Sequence, residues 1–136
     1  MRLKGKKCIV TGGSSGIGKA TVKRFIAEGA EVLIADIDIK ESKKLAEEIG
    51  DGVHFIKCDV RLENDIISVS KKAYSIWKKV DVLVNNAGSE LNQSYDKMTE
   101  QEWDKVLDTD LKGPWLMCKH IVPKMVETGS GSVINI

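Results

Sequence analysis

The sequence predicts an α/β fold, a doubly wound parallel sheet with helices on both faces. Three observations predict it. Short β-branched runs alternate with amphipathic stretches, in the order β-α-β-α-β-α-β-α-β, along 136 residues. Several of these runs are apolar on nearly every residue, as parallel strands covered on both faces are. The first run opens straight into a glycine-rich turn and a helix, where doubly wound sheets receive ligands. Strict alternation implies right-handed crossovers.

The first strand spans Lys7–Thr11. A helix over residues 17–28 follows, with Ile17, Ala20, Thr21 and Phe25 near one face and Gly29 at its C-cap. The second strand is Glu31–Asp36, and residues 40–49 form a helix that stops at Gly50, before an Asp51-Gly52 turn. The third strand covers residues 53–58. The helix over 63–79 carries Ile66, Ile67, Val69, Ala73, Ile76 and Trp77. The fourth strand covers 80–85. Thr99-Glu-Gln-Glu102 is a capping-box pattern that opens a fourth helix. That helix continues through Trp103, Val106, Leu107 and Leu111 to Met125, with a disturbance at Gly113-Pro114. Residues 132–136 form the fifth strand.

The whole length, 1–136, makes one domain. The apolar fraction of 42% and charged fraction of 30% describe a globular chain rather than a disordered one. Lys and Arg number 21 against 20 Asp and Glu, so the net charge is +1 and neither nucleic acid nor an anionic membrane is an expected partner. No apolar run reaches the ~18 residues of a membrane span. The basic start, Met1 to Lys7, meets an apolar run that ends at Val10, which is not a signal peptide. Cys8, Cys58 and Cys118 lie far apart without metal-ligand spacing; their apolar neighbours suit reduced, buried thiols and a cytoplasmic location. His54 and His120 stand alone, as structural or surface residues.

The glycine turn reads Thr11-Gly-Gly-Ser-Ser-Gly-Ile-Gly18. A helix N-terminus offers unpaired N–H groups and partial positive charge, which suits a pyrophosphate. Glycines allow the sharp turn, the approach of phosphate and close helix–strand packing. The spacing Gly12-x-x-x-Gly16-x-Gly18 differs from G-x-G-x-x-G. Gly13 to Lys19 also fits a G-x-x-x-x-G-K phosphate loop, but Ala20 stands where that loop needs a magnesium-binding hydroxyl. Asp36 closes the second strand, in the region where a carboxylate accepts both hydroxyls of an adenosine ribose. A carboxylate repels a 2′-phosphate, and the loop has no Lys or Arg before Lys19, so NAD is expected over NADP. Alternatively, Asp36 or Asp38 caps the next helix.

These motifs resemble the short-chain dehydrogenase/reductase family. Thr11-Gly12-x-x-x-Gly16-Ile17-Gly18 matches its TGxxxGIG turn. Cys58-Asp59-Val60 looks like its adenine-binding Asp-Val, and Asn85-Asn86-Ala87-Gly88 matches its NNAG. The resemblance spans the chain and implies a Rossmann fold that holds a dinucleotide. It places Gly12, Ser14, Ser15, Gly16, Ile17 and Gly18 in the pyrophosphate and ribose turn, and Asp36 on the adenosine ribose. It places Asp59 and Val60 on the adenine, and Asn86, Ala87 and Gly88 on the ribose near the nicotinamide. Asn85 would tie the fourth strand to its neighbours.

The resemblance also implies an NAD-dependent oxidoreductase acting on a small alcohol or carbonyl compound, here as its cofactor-binding half. Family members run nearly twice this length, and their catalytic Ser and Tyr-x-x-x-Lys follow the fifth strand. Tyr74-Ser-Ile-Trp-Lys78 has that pattern but precedes NNAG, so it is expected to be surface chemistry on the third helix. Asp110 replaces the family's usual Asn, the one catalytic position within this chain. The spacing of Trp103, Leu107, Asp110 and Pro114 turns it inward, where it would need a partner or bond a neighbouring backbone N–H. The fifth strand is expected to be an open edge and the chain to form homo-oligomers. Alternatives are a non-catalytic nucleotide-binding or scaffolding protein of the same fold, and a methyltransferase using S-adenosylmethionine; NNAG and Asp59-Val60 argue against the latter.

Overall fold

A computed structural model describes residues 1–136. Strands β1 (Lys7–Thr11), β2 (Glu31–Asp36), β3 (Val53–Lys57), β4 (Val82–Asn85) and β5 (Ser132–Asn135) form one parallel sheet in the order β3-β2-β1-β4-β5. Helices α1 (Gly16–Ala27), α2 (Ile39–Ile49) and α3 (Glu63–Trp77) make the first three crossovers. The last crossover holds α4 (Glu100–Leu107), a π-helical turn over Asp108–Lys112, and α5 (Gly113–Glu127). This is the Rossmann-like arrangement expected from the sequence. The order reverses beside β1, because β2 and β3 lie to one side of it and β4 and β5 to the other. Ligand clefts of doubly wound sheets open at that reversal, beyond the carboxyl ends of the strands.

The period-2 pleat divides the core into two layers. Ile9, Leu33 and Leu83 share one register row and pack with Val69 and Ala73 of α3 and Met117 and Ile121 of α5. Cys8, Val32 and Val82 form the preceding row and face Val22 of α1 and Leu45 of α2 with the rest of the second layer. Each fully buried Leu or Ile contributes roughly 1.5–3 kcal/mol. A one-residue slip would exchange the two layers, so the apolar rows also fix the register. Cys8 and Cys58 are buried free thiols, pushed up to about 12 by burial, and Cys118 is half-buried. No helix is long and apolar enough to cross a membrane.

Most local signals produce the expected elements. Thr99 and Glu102 form a reciprocal capping box at α4. Asp38, not Asp36, caps α2 by accepting the Glu41 N–H at 3.0 Å. Helix α3 ends at Trp77, two residues early, because Lys78 turns into the left-handed region at φ 59°.

Three expectations about the helices fail. Tyr74 is buried, not a surface residue; its hydroxyl donates to the Ile121 carbonyl at 2.8 Å and joins α3 to α5. The fourth helix is not one helix broken at Gly113-Pro114. The break comes earlier, in the π turn, and Pro114 sits in the first turn of α5. Pro114 has no N–H for the Asp110 carbonyl. The chain accommodates this with a wider bond, from the Gly113 N–H to the Asp108 carbonyl.

The residues expected to face inward from this segment do not. Trp103 and Leu107 are exposed and α4 buries no residue, whereas α5 buries Leu116, Met117, Ile121 and Met125. The last crossover therefore covers the sheet with α5 alone.

Candidate functional site

A cleft of about 820 Å³ opens beyond the ends of β1, β2, β3 and β4. Its floor is the glycine turn. Gly12 has φ +60°, and a Cβ there would lie 2.9 Å from the Ala87 Cα. Gly18 brings α1 against the turn so closely that a Cβ would sit 2.1 Å from the Gly12 carbonyl oxygen. Ser15, the N-cap of α1, makes no side-chain cap bond, and no acidic residue stands in the first turn. The opening N–H groups of α1 are thus left for an anion.

Thr11 and Asn86 join the glycine turn to the segment after β4. The Thr11 hydroxyl accepts the N–H groups of Asn86 and Ala87, both at 3.0 Å, and donates to the Val84 carbonyl at 3.4 Å. Asn86 Nδ2 donates to the carbonyls of Thr11 at 3.0 Å and Gly12 at 3.1 Å. Asn85 Nδ2 donates to Asn135 Oδ1 at 2.9 Å and so ties β4 to β5, as expected.

Asp36 stands at the end of β2 and is 7% exposed. Its Oδ2 accepts the Ser14 N–H at 2.9 Å and the Ser14 hydroxyl at 2.7 Å, and Oδ1 accepts the Asp38 N–H at 2.9 Å. The carboxylate is therefore held by backbone and hydroxyl donors, not by a cation.

Across the cleft, Asp59 is gripped by Arg61. The guanidinium holds the Asp59 carboxyl below the usual carboxylate range, against the opposing effect of burial. Asp59 shares this wall with Val60.

The structure places Gly12, Ser15, Gly16, Ile17, Asp36, Asp59, Val60, Asn86, Ala87, Gly88 and Asp110 on the wall of the cleft. Ser14 and Gly18 stand behind it. Ser14 was expected to line the pyrophosphate, but its N–H and hydroxyl both turn to Asp36, leaving it 4% exposed.

Asp110 is exposed, not turned into the core. It stands at the rim of the cleft, at helical spacing from the exposed Trp103 and Leu107, and its Oδ1 accepts the Ser89 N–H at 2.8 Å. This is the bond to a neighbouring backbone N–H, made without burying the charge. Arg61, Glu90, Lys105 and Thr109 line the cleft too and were not singled out from sequence. For Arg61 a signal existed: it lies two residues after Asp59, within reach of a carboxylate at a strand end.

Comparisons with known proteins agree with this geometry. A family model described as short chain dehydrogenase matches residues 6–136. A 3-oxoacyl-(acyl-carrier-protein) reductase of Thermotoga maritima is 37% identical over 139 residues, which cover 100% of this chain and 56% of the relative. A solved short-chain dehydrogenase from Streptomyces avermitilis matches with a TM-score of 0.91 at 32% identity, covering 99% of this chain and 50% of the other. A metagenomic short-chain oxidoreductase solved in complex with NADP matches with a TM-score of 0.92 at 29% identity, covering 99% and 63%. The chain spans about half the length of the curated relatives it matches.

Proposed function

The chain belongs to the short chain dehydrogenase family, and we propose that it is the cofactor-binding half of an NAD-dependent oxidoreductase that moves hydride between an alcohol and a carbonyl. The pyrophosphate rests on the N–H groups that open α1, beside Gly12, Ser15, Gly16 and Ile17. Asn86, Ala87 and Gly88 contact the ribose nearest the nicotinamide, and Asp59 and Val60 meet the adenine. Asp110 steadies this arrangement through Ser89 rather than transferring a proton. Proton transfer belongs to the Ser and Tyr-x-x-x-Lys that family members carry after their fifth strand. Such acid–base help is worth roughly a hundred- to ten-thousand-fold in rate.

The observation that carries the choice of NAD is Asp36. Three donors fix its carboxylate at the cleft wall, leaving about one of its four lone-pair directions for a ribose hydroxyl. A 2′-phosphate at the same place would meet a fixed negative charge. The rest of the wall adds to the repulsion: Asp59, Glu90 and Asp110 join Asp36, against only Arg61 and Lys105. For this reason the NADP of the metagenomic neighbour is not carried over to this chain.

Fluorescence titration of the 136-residue chain with NADH and NADPH tests this. The expected result is NADH binding tighter by roughly tenfold or more, the size of one charge–charge conflict of about 1.4 kcal/mol. Asp36→Ala and Asp36→Asn should each narrow the gap. Equal affinity of the unmutated chain for both would refute the choice of NAD. No binding of either by folded chain at millimolar levels would refute the cofactor itself, and S-adenosylmethionine binding alone would favour a methyltransferase.

A further inference from the structure

Strand β3 is an outer strand of the sheet, with β2 on one side and no strand on the other. Its ladder shows which backbone groups that leaves free. The Val32 N–H donates to the Gly52 carbonyl, and the Cys58 N–H donates to the Asp36 carbonyl. In an extended strand the N–H and C=O of one residue point the same way and successive residues alternate, so His54 and Ile56 also turn to β2. Val53, Phe55 and Lys57 turn their backbone groups outward. On a strand as rich in β-branched and aromatic residues as Val53-His-Phe-Ile-Lys57, such a row is a template for a further strand.

One side chain interrupts the row at its centre. Lys72 of α3 donates from Nζ to the Phe55 carbonyl at 2.9 Å. Helix α3 packs on the layer that holds Ile9 and Leu83, whereas Phe55 packs on the opposite layer, with Val10, Val22 and Leu45. Even so, Lys72 Nζ lies 5.9 Å from the centre of the Phe55 ring. The side chain therefore starts on one face of the sheet, passes around its edge and ends on the edge carbonyl, beside a ring of the other face. Lys72 and Phe55 are both half-buried. A hydrogen bond and a cation–π contact fix the head of this lysine, where an ordinary surface lysine is free to move.

We propose that Lys72 closes the β3 edge against strand addition by a second copy of this chain. Two β3 strands are self-complementary in antiparallel register about Phe55, with Phe55 opposite Phe55 and Val53 opposite Lys57. The central pair exchanges N–H···O=C bonds in both directions. With Lys72 in place, an incoming Phe55 N–H meets a positive charge on the carbonyl it needs. Pairing would also strip water from that charge without giving it a partner. Once the ammonium is removed, the outward row is complete and the edge is open.

The experiment follows amide hydrogen exchange of Val53, Phe55 and Lys57 by NMR at low and high protein concentration. It compares the full 136-residue chain with Lys72→Ala, Lys72→Met and Lys72→Arg, each checked for folding by circular dichroism. Lys72→Met keeps a long apolar stem along the sheet edge and removes the donor, so it serves where Lys72→Ala fails to fold. In the unmutated chain these amides should exchange at one rate at every concentration. In Lys72→Ala and Lys72→Met they should slow by about threefold or more between tens of micromolar and about one millimolar, as copies pair by mass action. Lys72→Arg, which keeps a cationic donor, should behave as the unmutated chain does. Folded Lys72→Met whose β3 amides ignore concentration overturns the proposal. So does association that slows other amides and not these, or concentration-dependent slowing of these amides already in the unmutated chain.

Discussion

Replacing Thr11 by Val tests whether one buried hydroxyl holds the two halves of the cleft together. Thr11 is 2% exposed and Val has nearly its shape, so the change removes the oxygen and little else. Two N–H groups, those of Asn86 and Ala87, lose their acceptor. Each donor left unsatisfied costs about 1–3 kcal/mol. Asn86 and Ala87 are only half-buried, so water from the cleft recovers part of this. The expected loss is about 2–3 kcal/mol for the pair. Thr11→Ser keeps the oxygen and loses a methyl, at about 0.8 kcal/mol. Urea unfolding followed by tryptophan fluorescence separates the two. With a slope of about 1–3 kcal/mol/M, Thr11→Val should lower the midpoint by roughly 1–2 M, and Thr11→Ser by well under half of that. NADH affinity should fall in the same order, because Asn86 and Ala87 line the cleft proposed to hold it. If Thr11→Val unfolds within about 0.5 kcal/mol of the unmutated chain, or later than Thr11→Ser, the hydroxyl is not the clamp described here.

Other perturbations probe different parts of the molecule. Gly18→Ala should abolish NADH binding and destabilise by about 3 kcal/mol or more in thermal unfolding, since the added methyl meets backbone oxygen at 2.1 Å. Gly16→Ala has open space at φ +50° and should cost only about 1–2 kcal/mol; equal effects at the two sites would contradict the packing account. Asp81 accepts the Lys7 N–H at 2.8 Å and faces Lys6 and Lys79; burial pushes its carboxyl up, but these donors together hold it below the usual range. A lowered folded pKa stabilises above the unfolded value near 4 and loses that contribution as pH falls through the folded one. Asp81→Asn should therefore destabilise by about 1 kcal/mol at neutral pH, with the gap closing below roughly pH 4; a gap unchanged at pH 3 would contradict the charge-based account.

The fold was legible because its signals are local and agree with one another. The run Cys8-Ile-Val is apolar on every residue because alternate side chains enter different layers, Ile9 towards α3 and α5, Cys8 and Val10 towards α1 and α2. Gly29 and Gly50 follow helices in conformations of positive φ, where a Cβ is disfavoured. Thr99 and Glu102 are a complete start signal within four residues. Each of these needs only the neighbouring chain to be decided. The failures arise where a helix depends on something else. Tyr74 looked like half of an exposed pair with Lys78, yet α3 packs on α5, forty-seven residues further along, and the hydroxyl finds its acceptor there. Spacing within α3 carries no information about that neighbour.

The candidate site divides in the same way. Its backbone was legible: the glycine turn and the Asn86-Ala87-Gly88 segment are recognisable alone, and they line one cleft. What each side chain does there depends on contacts between distant segments. Thr11 reaches Asn86 across 75 positions and Ser14 reaches Asp36 across 22, so the expected pyrophosphate ligand becomes a support for the Asp36 carboxylate. Asp110 shows how a facing read from spacing depends on the residues it is read from. Trp103 and Leu107 are themselves exposed, so the helical spacing that joins Asp110 to them carries it to the rim with them rather than into the core. There its carboxylate accepts the Ser89 N–H rather than meeting a buried partner. The proline that makes the turn necessary was visible at position 114, but helix geometry resolves the lost hydrogen bond upstream of the proline rather than at it. A disturbance read from sequence therefore belongs one turn before the residue that causes it, and the residues in that turn are those whose facing should be left open.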